Sequence, residues 1–162
     1  MGKGMWLSTA VTVMLLLLAS HAAGLQTTTI WVSVTGSDDG DGTAINPYKT
    51  LNKAVNEAKL LSGNKVIKVG AGDYDWLHES SFTAPSAPFP ISIPTQTHIV
   101  AADTSSTSTW PHIGGGVPSS STEELLLVNA TGASRSNVEL HNVYFVGEDV
   151  TDQDGPSAIR FV

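Results

Sequence analysis

Residues 30–74 read IWVSVTGSDDGDGTAINPYKTLNKAVNEAKLLSGNKVIKVGAGDY, and their order constrains the fold more than any other feature of the chain. A short apolar strand runs into an acidic, glycine-rich loop. An amphipathic helix follows, then a second strand that ends at Gly70-Ala71-Gly72-Asp73-Tyr74. Residues 29–34 alternate and are rich in β-branched side chains, which predicts a strand. In the loop, Gly36, Gly40 and Gly42 lie among Asp38, Asp39 and Asp41. Glycine supplies positive φ, and aspartate side chains bond nearby backbone N–H groups, so the loop reads as a tight acidic turn. Clustered carboxylates also suit calcium, but the spacing lacks the alternate acidic positions and distant Glu of an EF-hand. The structural turn is the stronger reading.

The helix is predicted over residues 51–61. Leu51, Ala54, Val55, Ala58 and Leu61 recur at the helical period, with Lys49, Lys53, Asn56, Glu57 and Lys59 on the other face. Thr50 is the candidate N-cap, with Asn46 before Pro47 as a rival start, and Gly63 is placed to end the helix. Residues 66–70 are strand-like again, and Gly72 with Tyr74 reads as a closing turn. Trp31, on a strand, is expected in the core; Trp76 and Trp110, flanked by turn residues, are candidates to stack on sugar rings at the surface.

Gly36-Ser37-Asp38, Gly42, Asn46-Pro47, Lys49-Thr50-Leu51, Ala54 and Gly72-Asp73-Tyr74 together resemble the N-terminal unit of the pectin-lyase-like superfamily. That unit opens several polysaccharide lyases and many secreted β-helix proteins of unknown function. The resemblance covers the first third to half of the mature chain. Ala71 stands where relatives often carry Pro. It implies an all-β chain, a right-handed parallel β-helix, with the amphipathic helix capping its first coil. The end of such a coil exposes apolar surface and unpaired strand groups, which a cap must cover. Residues 90–101, 125–128, 137–146 and 158–162 are further strand-like runs, separated by turn-rich segments at 104–109 and 114–122. Residues 138–147 resemble one coil, with Asn142 at a turn. The closing residues 158–162 read as a strand in progress, so the chain is expected to be an incomplete N-terminal portion of the solenoid.

Residues 1–24 have the build of a signal peptide: Lys3, an apolar run at residues 6–18, and Ala22-Ala23-Gly24 for cleavage. The apolar run is short for a membrane span. Residues 25–162 then form the N-terminal part of one β-helix domain, secreted or at the cell surface, with no membrane span in the mature chain. Loss of Lys3 takes the net charge from −7 to −8. That excludes the basic face nucleic-acid binding requires. It also leaves no evident basic groove for an acidic polysaccharide. There is no cysteine, so the domain depends on its core and its backbone ladder. Asn129-Ala130-Thr131 is a glycosylation sequon, which makes Asn129 a possible modification site in a eukaryote.

A catalytic constellation is not legible. His78, His98, His112 and His141 have no metal-ligand spacing and read as turn or surface residues. Glu123, Glu124, Asp149, Asp152 and Asp154 are acidic, but paired-carboxylate hydrolysis needs a spatial separation that sequence does not supply. The resemblance implies a Lys or Arg base, usually with calcium, in the lyases; Arg135 and Arg160 fall in no such motif. Catalytic residues are therefore unknown, and neither cofactor nor metal ligand is assigned. Two readings stay open. One is a noncatalytic secreted or cell-surface β-helix that interacts with polysaccharide or cell-surface glycan. The other is the N-terminal portion of a polysaccharide lyase or glycoside hydrolase.

Overall fold

The computed structural model describes residues 26–83, 90–114, 126–128, 138–146 and 159–161. The first strand, β1 (Thr27–Val32), is followed by helix α1 (Leu51–Lys59), β2 (Asn64–Val69), β3 (Asp73–Tyr74) and helix α2 (Trp76–Thr83). Then come β4 (Ile91–Ile93), β5 (Thr97–Ala101), a 3-10 turn (Thr107–Thr109), β6 (His112–Gly114), β7 (Leu126–Val128), β8 (Val138–His141), β9 (Tyr144–Val146) and β10 (Ile159–Phe161). The strands form three sheets, in the orders β1-β2-β5-β8, β3-β6-β9 and β4-β7-β10. Every named strand pair is parallel. From β2 onward the chain visits the first, second and third sheet in strict rotation, three times.

Alternation along each strand separates a dry face from a wet one. In the first sheet Ile30, Ile67 and Ile99 align across three strands, as do Val32, Val69 and Ala101 one pleat further on. All six are buried. Tyr74 and Ile113 form the matching inner row of the second sheet, and Ile91 and Ile93 line the third. All of these side chains but Ala101 belong to one continuous core.

Two strand-like runs of the sequence are each broken into two strands, a correction with a clear cause. Residues 90–101 bend at Gln96 (φ 56°) and residues 137–146 bend at Asn142 (φ 57°). A single left-handed residue turns the chain from one sheet to another, and Asn tolerates that conformation. A propensity reading cannot see Gln96, which has no such bias. Residues 72–74 are likewise more than a turn: Asp73 and Tyr74 pair with His112 and Ile113 of β6.

Helix α1 lies between β1 and β2, where later parts of the chain place strands of the second and third sheets. It buries Leu51, Ala54, Val55 and Ala58 and packs against β1, β2 and β4. Thr50, not Asn46, is the N-cap; its hydroxyl accepts from the Lys53 N–H at 3.1 Å. The helix is shorter than expected. It stops at Lys59, and Leu61 lies outside the buried stripe and is exposed. Gly63 does adopt positive φ, but beyond the helix end.

The acidic loop closes the other open side of β1. Trp31 N–H donates to the Gly42 carbonyl at 2.8 Å, Tyr48 N–H to the Trp31 carbonyl at 2.9 Å, and Ser33 N–H to the Tyr48 carbonyl at 2.9 Å. Backbone groups that an edge strand would leave unpaired are thereby satisfied. The fit demands glycine at two places. Gly42 has φ 71° and lies against the Tyr48 ring, and a Cβ on Gly36 would sit 2.5 Å from the carbonyl oxygens of Pro47 and Tyr48.

Candidate functional site

Two groups of polar side chains stand out, and their exposure separates their roles. The first surrounds the start of α1. Asp38 accepts from Lys49 N–H and Thr50 N–H, both at 2.9 Å, and from the Thr50 hydroxyl at 2.9 Å. Asp41 folds onto Thr43, accepting from its N–H at 3.0 Å and its hydroxyl at 2.8 Å. The acidic loop thus spends Asp38 and Asp41 on its own backbone, which is the structural turn its sequence suggests. Among the described residues no group of three or more His, Cys, Asp or Glu side chains is placed to hold a metal ion.

Glu79 completes this group, and the sequence offers no signal for it. It sits on α2, whose apolar residues do not collect on one face. Its side chain is fully buried. One carboxylate oxygen accepts from Leu51 N–H at 2.9 Å; the other accepts from Asn52 N–H and the Asn52 side-chain amide, each at 2.9 Å. Leu51 and Asn52 are the first residues of α1, whose N–H groups have no partner within the helix. The positive end of the helix dipole faces the same carboxylate. Burial raises the pKa of Glu79, while the three N–H donors and nearby His78 pull it down. His78, expected at a turn or the surface, is half-buried on the same helix, with its Nε2 2.9 Å from the Lys49 carbonyl. Glu79 and His78 together bolt α2 to the start of α1.

The second group is exposed and lies on the outer face of the second sheet. Asp73, His112 and Tyr144 occupy one row across β3, β6 and β9. Their inward-facing neighbours Tyr74, Ile113 and Phe145 pack into the core, so the pleat directs the row outward. His112 Nδ1 lies 2.9 Å from the Asp73 carboxylate. A carboxylate only accepts, so Nδ1 carries a proton in this pair; when the ring is neutral, Nε2 is the acceptor. The Tyr144 ring stands 5.3 Å from His112, edge-on, and 5.3 Å from the indole of Trp110, tilted by 40°. Tyr144 is 40% exposed. Trp110 is half-buried; its Nε1 is turned inward and has no hydrogen-bond partner among the described residues. Aromatic rings beside an acid and an imidazole offer the two contacts a sugar needs: a flat apolar surface and hydroxyl-binding atoms.

A smaller exposed cluster decorates the first sheet. Glu139 lies 3.1 Å from His98 on the neighbouring strand and 3.0 Å from His141, two residues along its own. The hydrogen bond from His141 and the charge of His98 hold the Glu139 carboxyl below its ordinary value. Only the corner residues Asn142 and Val143 separate His141 from Tyr144 in the chain.

The sequence candidates therefore divide. Trp110 joins the exposed row. Trp31 does not enter the core as expected; it is half-buried on the outer face of β1, with the Lys68 ammonium 4.8 Å from its ring centre. A strand alternates, and Ile30 and Val32 take the inward positions on either side of it. Trp76 opens α2. The His residues are paired with carboxylates in three of four cases: His98, His112 and His141. Asn129, Glu123, Glu124, Arg135, Asp149, Asp152 and Asp154 lie outside the described residues, and Arg160 falls on β10. Sequence reasoning passed over Asp73 and Tyr144, which become neighbours only when β3 and β9 flank β6. Alternation carried on from Val138 and Leu140 would have turned Tyr144 inward; the bend at Asn142 shifts the parity, so that Val143 and Phe145 pack on the core and Tyr144 faces outward.

The chain matches, over residues 34–151, the family described as "Protein of unknown function (DUF1565)". It belongs to that family. Neither the curated proteins nor the solved structures contain a significant match to it.

Proposed function

We propose that this protein is a secreted or cell-surface, right-handed parallel β-helix of the pectin-lyase-like type, and that it binds glycan through the outer face of its second sheet. The fold reading is supported by the strict rotation of strands among three parallel sheets. Right-handed crossover is the strongly preferred way to connect parallel strands. The helix α1, lying where two strands are missing from the first turn, suits a cap. The composition of residues 1–24 supports export.

The observation that carries the binding role is the row Asp73–His112–Tyr144 with Trp110 packed beside it. Parallel coils place equivalent positions about 4.8 Å apart, which repeats contacts at regular intervals along one face. A polymer with a repeating unit can lie along such a face. Residues that a core would have hidden are instead held outward on rigid strands, with their backbone already ordered.

Retention of the purified chain on immobilised cell-wall polysaccharides tests this reading. The wild type is expected to be retained and Tyr144→Ala released early, with the same melting temperature. Equal retention of both, or passage of both, overturns it.

A further inference from the structure

Resting on the glycan-binding reading of the same row, we infer that its ligand is a neutral pyranose chain and not a polyuronate. The row presents acceptors. Asp73 is the one carboxylate in it, with its side chain 75% exposed, and on a neutral His112 ring Nε2 is a second acceptor, because Nδ1 donates to Asp73. Both are complementary to sugar hydroxyls, which bring O–H donors. Neither is complementary to a carboxylate, which brings only acceptors and a negative charge.

The surrounding charge points the same way. Among the described residues no lysine or arginine pairs with Asp73 or lies over the Tyr144 or Trp110 ring. Lys68, on the strand before Asp73, directs its ammonium over the Trp31 ring on β1. The whole chain carries −7, so its long-range field repels a polyanion as well. Recognition of uronates calls for guanidinium or ammonium groups that bind carboxylate directly. The Tyr144 and Trp110 rings, by contrast, match the apolar C–H face of a pyranose whether or not the sugar is charged.

Calorimetric titration of the full chain with cellohexaose, mannohexaose, β-1,4-galactohexaose and hexagalacturonate, in low salt and without divalent cations, tests the choice. At least one neutral hexasaccharide is expected to bind, and hexagalacturonate at least tenfold more weakly. Tyr144→Ala should abolish the neutral interaction, while Tyr144→Phe, which keeps the ring, should retain it. Asp73→Lys should weaken the neutral ligand and improve hexagalacturonate at least tenfold relative to it. Circular dichroism melting of each variant verifies that it is folded. Wild-type binding of hexagalacturonate as tight as, or tighter than, any neutral ligand overturns the inference and leaves the glycan-binding reading intact. Failure of all four sugars to bind overturns both.

Discussion

The start of α1 and the outer face of the second sheet both carry acidic and histidine side chains, yet they use them in opposite ways. At α1, Asp38 and Glu79 each meet three donors, and Glu79 is entirely removed from water. On the sheet, Asp73 meets one imidazole and is otherwise open to solvent. A buried carboxylate must have its lone pairs satisfied by the fold, because an unpaired polar group in the interior is costly. An exposed one has water for a partner and can exchange it for a ligand. Hydrogen-bond saturation, more than residue type, therefore distinguishes the scaffold from the surface that is available for recognition.

Substitutions that put this contrast under strain should differ in size. The largest effect belongs to Leu51→Asp and Val55→Asp, which place a charge in the dry face of α1 with no partner prepared for it. Each should cost about 5 kcal/mol; wild-type-like chemical denaturation would refute the cap role of the helix. Glu79→Ala comes next. It orphans the Leu51 and Asn52 donors and leaves a hole between the helices, for a cost of about 3 kcal/mol. An unchanged denaturation midpoint would mean that water replaces the carboxylate and that α2 is not bolted to α1.

Asp38→Ala should cost about 2 kcal/mol, because it frees Lys49 and Thr50 N–H groups near the surface, where water can partly compensate. The same carboxylate offers a test of the loop's character. Calcium titration of the wild type should show no micromolar binding, since Asp38 is committed to the backbone and Asp41 to Thr43. Micromolar binding abolished by Asp38→Ala would reverse that assignment. At the small end, Tyr144→Ala should alter stability by no more than about 0.5 kcal/mol, as expected for an exposed side chain outside the core.

Buried Glu79 and exposed Glu139, on the first sheet, should also respond to pH with opposite sign. The raised pKa of Glu79 means the folded state holds that proton more tightly than the unfolded chain does. Its contribution is fully present below the ordinary Glu value, about 4.3, and is lost as pH rises through the raised folded value. Glu139 is depressed, so its contribution is present above the ordinary value and is lost as pH falls through the depressed one. Melting temperature against pH for Glu79→Gln should lack the first component, and for Glu139→Gln the second. A Glu79→Gln profile parallel to the wild type from pH 4 to 8 would show that its three N–H donors fully offset the burial.

How much of this was legible in advance depended on the range of the interaction. The N-cap at Thr50, the buried stripe Leu51–Val55–Ala58 and the fold of Asp41 onto Thr43 all depend on residues close in sequence. Periodicity and local hydrogen bonding reveal such features. The role of Leu61 was misjudged because its spacing continues the stripe while the chain leaves the helix after Lys59. Trp31 was misjudged because aromatic content suggested a core position, whereas pleat parity between Ile30 and Val32 settled the matter.

The sequence alone determined the local pieces: short alternating strands, one amphipathic helix, glycine where the loop folds tightly, and an acidic surface with no cysteine. Those choices rest on backbone sterics and on nearest-neighbour hydrogen bonds, which act within a few residues. Tertiary structure decided everything that required parallel stacking. It aligned Asp73, His112 and Tyr144, which are spread over 72 positions of the chain but occupy one row. It also brought Glu79 onto two N–H groups 27 and 28 residues away. A parallel ladder joins residues separated by a whole circuit of the chain, and the length of each circuit is set by loops and by single left-handed residues such as Gln96 and Asn142. Local propensity carries no record of that distance, so the partners emerge only when the strands are in register.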